Sequence, residues 1–139
     1  MLVNRRVVRI EWGDCDPAGI VYYPRYFAIF DASTSALIER ALGMTKLQYL
    51  KAYDFAGHPL VSTHCRFLMP TRFGDDVIIE TTATEFRRSS FDVRHRLTLN
   101  QSLAVEVFET RVWVQGSPAR GHMKAVPVPR EVIDRLARG

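Results

Sequence analysis

The stretch from Arg25 to about Leu42 reads as a helix with almost no polar side. Phe27, Phe30, Thr34, Leu37, Ile38 and Ala41 fall on one face, and Asp31, Ser35 and Glu39 make a narrow stripe at four-residue spacing. A helix this apolar must be wrapped by the rest of the chain. Gly43 suits its C-terminal cap. A short second helix is expected from Thr45 to Tyr53, with Leu47 and Leu50 inward.

The wrapper is legible on either side. Before the helix, Val8, Ile10 and Trp12 alternate with Arg9 and Glu11, the pattern of a half-buried strand. After it come four strand-like runs: Leu60 to Met69, Asp76 to Phe86, Phe91 to Leu99 and Leu103 to Val114. The third is the cleanest, with Phe91, Val93, His95, Leu97 and Leu99 alternating with Asp92, Arg94, Arg96 and Thr98. Arg72-Phe73-Gly74-Asp75 and Asn100-Gln101-Ser102 read as turns, and Gly116 to Met123 as a polar loop. Pro129 opens a last short helix that turns Val132, Ile133 and Leu136 inward. Consecutive antiparallel strands around one helix imply an α+β fold. Such a sheet keeps an open edge and an open face, both suited to a second copy of the chain.

At 139 residues the chain is expected to form one domain, residues 1–139, with a core that needs no staples. No apolar run is long enough for a membrane span. MLVNRRVVRIEW carries basic residues without an apolar segment behind them, so no signal peptide is read. Cys15 and Cys65 are then expected as free thiols in a cytoplasmic protein. The net charge of +4 is scattered, and no zinc-finger spacing, RNA-binding signature or basic helix accompanies it. A small anionic ligand is favoured over nucleic acid.

The chemistry concentrates in GDCDPAGIVYYPRY, Gly13 to Tyr26. A connector needs Gly, Pro and Asp for backbone reasons; it does not need Ile20, Val21, Tyr22 and Tyr23 beside them. The loop leads into a helix N-terminus, where free N–H groups and partial positive charge can hold an oxyanion. Gly19 lets a ligand approach the backbone, and Asp14 or Asp16 can face the same spot. Composition alone leaves open a plainer reading, in which both carboxylates only make turns.

EWGDCDPAGIVYYPRYFAIFDAS, FLMPTRFGDDVIIET and EFRRSSFDVRH, in this order and spacing, resemble the 4-hydroxybenzoyl-CoA thioesterase family of hotdog-fold acyl-CoA thioesterases; KAVPVP extends the match. The resemblance implies a hotdog fold, an antiparallel sheet wrapped around one long buried helix. It implies thioester hydrolysis with Asp16 as the catalytic carboxylate, Asp14 as structural, and the backbone N–H of Tyr23 polarising the thioester carbonyl. Pro24 fits this family, whereas a related branch carries histidine there. Arg87, Arg88, Ser89 and Ser90 resemble the coenzyme-binding turn, and Lys124 lies where the family places a basic residue near the nucleotide. Arginine forks and serine hydroxyls suit phosphate oxygens.

Tyr22, Tyr26, Phe27 and Phe30 offer aromatic surface for a flat acyl group. Asp31 can accept a hydrogen bond from a phenolic hydroxyl or face solvent. His58 is a pocket candidate. His64 is a second, with a structural role the alternative. No metal or redox cofactor is expected, coenzyme A being part of the substrate. The reading is a homo-oligomeric thioesterase for an aromatic acyl-CoA, a dimer and by resemblance a dimer of dimers. Its rivals are a thioesterase for short-chain or other acyl-CoA, a non-catalytic acyl-CoA-binding module, and a hydratase, for which no His/Asp motif is visible.

Overall fold

The computed structural model describes residues 1–117 and 121–138. The chain runs β1 (Val3–Arg9), a 3-10 turn (Trp12–Asp14), α1 (Tyr23–Leu42), α2 (Lys46–Ala52), β2 (Leu60–Phe67), β3 (Asp76–Phe86), β4 (Ser90–Leu99), β5 (Ser102–Val112), β6 (Val114–Ser117), β7 (His122–Ala125) and α3 (Arg130–Ala137). Five strands form one antiparallel sheet in the order β1-β3-β4-β5-β2. β6 and β7 form a separate two-stranded ribbon. This is the α+β hotdog arrangement, with α1 against the inner face of the sheet.

α1 begins with Pro24 in its first turn and ends at Gly43, whose φ of 66° lets its N–H return to the Glu39 carbonyl at 2.8 Å. Its core face is Tyr26, Phe30, Thr34, Leu37, Ile38 and Leu42. β4 and β5 are joined through Asn100 and Gln101, both at positive φ, the geometry of a two-residue hairpin loop. The alternation expected for β4 holds, with Phe91, Val93, His95 and Leu97 buried.

Three details differ from the sequence reading. In α2 it is Tyr49 that is fully buried, while Leu47 is two-thirds exposed. Leu50 packs against the core as expected, and the tyrosine ring fills the fully buried site against Phe55 and His58. The last long strand breaks at Trp113, whose indole turns into the core and stacks on Phe55 at 4.0 Å. The chain beyond it pairs as β6 with β7, so the ends of the expected polar loop are strands; residues 118–120 lie outside the described residues.

The core has two apolar clusters. One gathers Leu37, Ile38, Tyr49, Phe55, Trp113, Val132 and Leu136. The other gathers Ile10, Tyr26, Phe30, Ile79, Leu97, Val105 and Val107. β2 is an edge strand, and Leu60, Val61, Phe67 and the adjoining Leu68 are 41–60% exposed. An edge this long and apolar is rarely left open in a stable protein. Among the described residues, no helix is long and apolar enough to cross a membrane.

Candidate active site

The loop ahead of α1 is built from its own backbone bonds. Asp14 Oδ2 accepts the Glu11 N–H at 2.9 Å and its carbonyl accepts Tyr22 N–H at 2.8 Å. Both bonds hold the loop, the structural role expected for Asp14. Asp16 closes a tight turn: its Oδ1 accepts Ala18 N–H at 2.9 Å, its carbonyl accepts Gly19 N–H at 2.9 Å, and its N–H reaches the Ile20 carbonyl. Gly19 at φ 82° makes that turn possible. Asp16 Oδ2 makes no hydrogen bond among the described residues.

The loop runs against the segment after β2. Val21 N–H donates to the Thr71 carbonyl, and the Tyr26 hydroxyl lies 2.6 Å from Thr71 Oγ1. Between them opens an apolar cavity of about 290 Å³, lined by Ile20, Val21, Tyr23, Tyr26 and Phe67 to Pro70. Tyr23 is the first residue of α1, and its N–H has no acceptor among the described residues. The helix-start N–H belongs to a residue of the apolar wall, and the Asp16 turn is tied to that wall through its N–H bond to the Ile20 carbonyl. That combination can polarise a carbonyl while keeping it out of bulk water.

Two residues expected in this pocket lie elsewhere. Phe30 is fully buried against Tyr26 and the His95 ring, because the helix register turns it to the core. Tyr22 caps the helix with its ring half exposed beside Tyr23, outside the cavity lining.

Asp31 and His58 share a second cavity of about 360 Å³ with Lys46, Pro59, Leu60 and Arg111. Arg111 Nη1 donates to Asp31 Oδ1 at 2.8 Å and to the His58 carbonyl at 3.2 Å. Asp31 is thus half of an ion pair rather than the isolated carboxylate the sequence suggests. His58 is 4% exposed, with Nε2 3.2 Å from the Tyr49 hydroxyl. Burial, helped by the charges of Arg111 and Lys46, pushes its imidazole down to about 4, so it is neutral near pH 7. His64 lines neither cavity. It stands opposite Phe108 on the sheet face turned away from α1, because period-two alternation places it with Ser62 and Arg66.

The turn from Phe86 to Ser90 carries the expected coenzyme residues. Arg87 is largely occupied: Nε donates to Ser90 Oγ, and the guanidinium pairs with Asp92 and Glu85. Ser89 and Arg88 use their carbonyls to hold Trp113 and Val128. The Arg88 side chain is exposed and enters no salt bridge among the described residues. Lys124, on β7 opposite Gln115, is exposed at a third hollow of about 440 Å³.

These groups sort to two ends of the sheet. Asp16 and the apolar cavity adjoin the start of β3 and the end of β2; the arginine turn ends β3, and His58 and Asp31 lie by the start of β2. The eleven residues of β3 span about 35 Å. The chain does not gather Asp16, His58 and Arg88 into one cavity.

Sequence reasoning missed Glu109 and Arg111. Both are buried, and the carboxylate is held at about 2: burial alone would raise it, but His95 and Arg111 hydrogen bonds outweigh that. The available signal was phase, since Glu109 and Arg111 share the inward register of Val105 and Val107.

A family model for the thioesterase-like superfamily matches residues 10–136. The chain belongs to this superfamily of hotdog proteins and is a thioester hydrolase. It is similar to the 4-hydroxybenzoyl-CoA thioesterase of Pseudomonas sp. (strain CBS-3), with 32% identity over 131 residues, 91% of this chain and 92% of the relative. It is also similar to the 1,4-dihydroxy-2-naphthoyl-CoA hydrolase of Synechococcus elongatus, 33% identical over 96 residues, 69% of this chain and 68% of the relative. Among solved structures, an aspartate-to-asparagine mutant of 4-hydroxybenzoyl CoA thioesterase complexed with 4-hydroxybenzoyl CoA superposes with a TM-score of 0.88 and 30% identity, covering 97% of this chain and 99% of that one.

Proposed function

We propose that the chain hydrolyses an aromatic acyl-CoA of the 4-hydroxybenzoyl type, in a site completed by a second copy. The observation that carries this is the loop ahead of α1, where the Asp16 turn is bonded to Ile20, and Ile20 and Tyr23, whose N–H is free among the described residues, wall the apolar cavity. The thioester carbonyl oxygen takes the Tyr23 N–H. Either Asp16 attacks the carbonyl carbon, expelling the coenzyme A thiolate and forming an aspartyl anhydride that water then hydrolyses, or Asp16 takes a proton from the water that attacks. In both cases one water is consumed, its oxygen goes to the acid and its proton to the coenzyme A thiol. A cavity of about 290 Å³ is at the small end for ligand pockets, which favours a compact ring over a long chain. The relatives named above act on aryl-CoA thioesters, and one is solved with such a substrate.

The second copy follows from the open β2 edge. Antiparallel pairing of two β2 strands about a two-fold axis sets the Phe67 end of one chain beside the Leu60 end of the other. Asp16 and the apolar cavity of one copy then meet Asp31, His58 and the arginine turn of its partner. The assembly is a dimer, and by family resemblance a dimer of dimers. The reaction uses no metal or redox cofactor.

A panel of acyl-CoA thioesters, followed by thiol release, tests the substrate class. Aryl thioesters are expected to turn over with kcat/KM at least tenfold above acetyl-CoA or long-chain acyl-CoA; a preference for aliphatic chains would overturn the assignment. Arg88 gives a separate check. Arg88→Ala is expected to raise KM for acyl-CoA about 10- to 100-fold, the loss of one charge-assisted phosphate contact at about 1.5–3 kcal/mol. KM for the matching pantetheine thioester, which lacks the nucleotide, should stay within about twofold. Arg87→Ala should do less, since its guanidinium is already paired with Asp92.

A further inference from the structure

The turn that joins β3 to β4 is held by its backbone. Arg87 N–H donates to the Ser90 carbonyl at 2.9 Å, Trp113 N–H to the Ser89 carbonyl at 2.8 Å and Val128 N–H to the Arg88 carbonyl at 2.9 Å. One bond closes the turn and two more tie it to other segments of the chain. The Arg87 side chain is nevertheless fully engaged. Its Nε donates to Ser90 Oγ at 2.8 Å, Nη1 and Nη2 each donate to one oxygen of Asp92, and Nη1 lies 3.3 Å from Glu85 Oε2. Asp92 is anchored from the next strand, where Thr110 Oγ1 donates to its Oδ1 at 2.8 Å.

A partly exposed ion pair adds little stability, and the turn already has its backbone bonds. What the pair changes is the charge on offer. Strand register sets Glu85 directly opposite Asp92, and Arg87 bonds to both. The sequence places two adjacent cations here. The folded turn presents one, Arg88, beside a second that is held by two carboxylates. An arriving phosphate must break a bidentate pair to use Arg87. The nucleotide is the same in a coenzyme A thioester and in the thiol it releases. Contacts to it lower KM without speeding the chemical step, and they hold product as firmly as substrate. Two free arginines would therefore slow release of the thiol.

We infer that Asp92 and Glu85 are positioning residues that hold Arg87 off the coenzyme phosphates, so that the turn takes the nucleotide through Arg88 alone and the thiol product is released quickly. This rests on the reading in which the 87–90 turn meets the nucleotide of acyl-CoA. Asp92 supplies the larger part, through two bonds and its anchor on Thr110; Glu85 adds one longer contact.

The test is calorimetric titration with coenzyme A, joined to its inhibition of acyl-CoA hydrolysis. Asp92→Asn is expected to bind coenzyme A about threefold more tightly than wild type, and Asp92→Asn with Glu85→Gln about tenfold, one charge-assisted contact having been gained. Product inhibition should strengthen by the same factors, while KM for the pantetheine thioester stays within about twofold. A merely structural role predicts the opposite sign, since a loosened turn would bind coenzyme A more weakly. Adding Arg87→Ala to the double variant should cancel the gain. Unchanged or weaker affinity in the acid variants overturns the inference, and so does a gain that survives Arg87→Ala. Asp92→Asn alone, at a partly exposed site where an amide oxygen can still accept from Thr110, gives the sign even if the double variant does not fold. Weaker binding by Arg88→Ala without tighter binding by the acid variants sinks this inference alone. Tighter binding by the acid variants with Arg88→Ala at the wild-type value sinks the Arg88 assignment and leaves the role of Asp92 and Glu85 standing.

Discussion

Asp16→Asn should remove turnover by about 10³-fold or more while the protein stays folded and keeps its affinity for acyl-CoA. The carboxylate enters one hydrogen bond, from Ala18 N–H to Oδ1, which an asparagine oxygen can accept equally. It has no salt-bridge partner among the described residues, so a stability cost within about 0.5 kcal/mol is expected. Its chemical role has no such substitute. An amide is neither a competent nucleophile toward the thioester nor a base toward water, and in the proposed mechanism the Tyr23 N–H only polarises the carbonyl. Thiol release, thermal melting and calorimetric titration with a thioether analogue separate the three effects. A melting curve and affinity near wild type with turnover also near wild type would mean that Asp14 or water alone carries the reaction.

The second large effect concerns the β2 edge. Lysine at both Val61 and Thr63 should give a folded monomer with less than about 1% of the wild-type activity. Both side chains are exposed in the single chain, so the fold loses little. A charged edge strand resists pairing with its copy. With the pairing gone, Asp16 faces no His58 and no arginine turn, since its own lie at the far end of the sheet. Light scattering gives the mass and circular dichroism the fold. A monomer that hydrolyses acyl-CoA at the wild-type rate would show that one chain suffices.

Much of this arrangement could be read from residues. The buried helix was legible because Phe30, Leu37 and Ile38 repeat at helical spacing, and β4 because its alternation is unbroken. The turn at Asp16 was legible because Asp16, Pro17 and Gly19 are turn residues placed just ahead of the helix. What failed depends on tertiary register. Phe30 shares the helix face of Tyr26 but lies one turn deeper, under the sheet and outside the cavity lining, while Tyr22 precedes the helix and stays half exposed. Arg87 and Arg88 look equivalent until Asp92 folds back to pair with one of them. Glu109 and Arg111 read as ordinary strand charges because their partners, His95 and Asp31, lie 14 and 80 residues away.

Chain mixing decides whether the site is shared. An Asp16→Asn chain and an Arg88→Ala chain, each assayed at acyl-CoA concentrations well below the raised KM, are combined in equal amounts and allowed to exchange. If Asp16 comes from one copy and the arginine turn from the other, half of the dimers are mixed, and each mixed dimer has one intact site and one doubly defective site. Activity should then rise from near zero to about a quarter of the wild-type value. Proven exchange with no rise above the average of the two parents would place both groups in the same chain's site and contradict the two-copy arrangement.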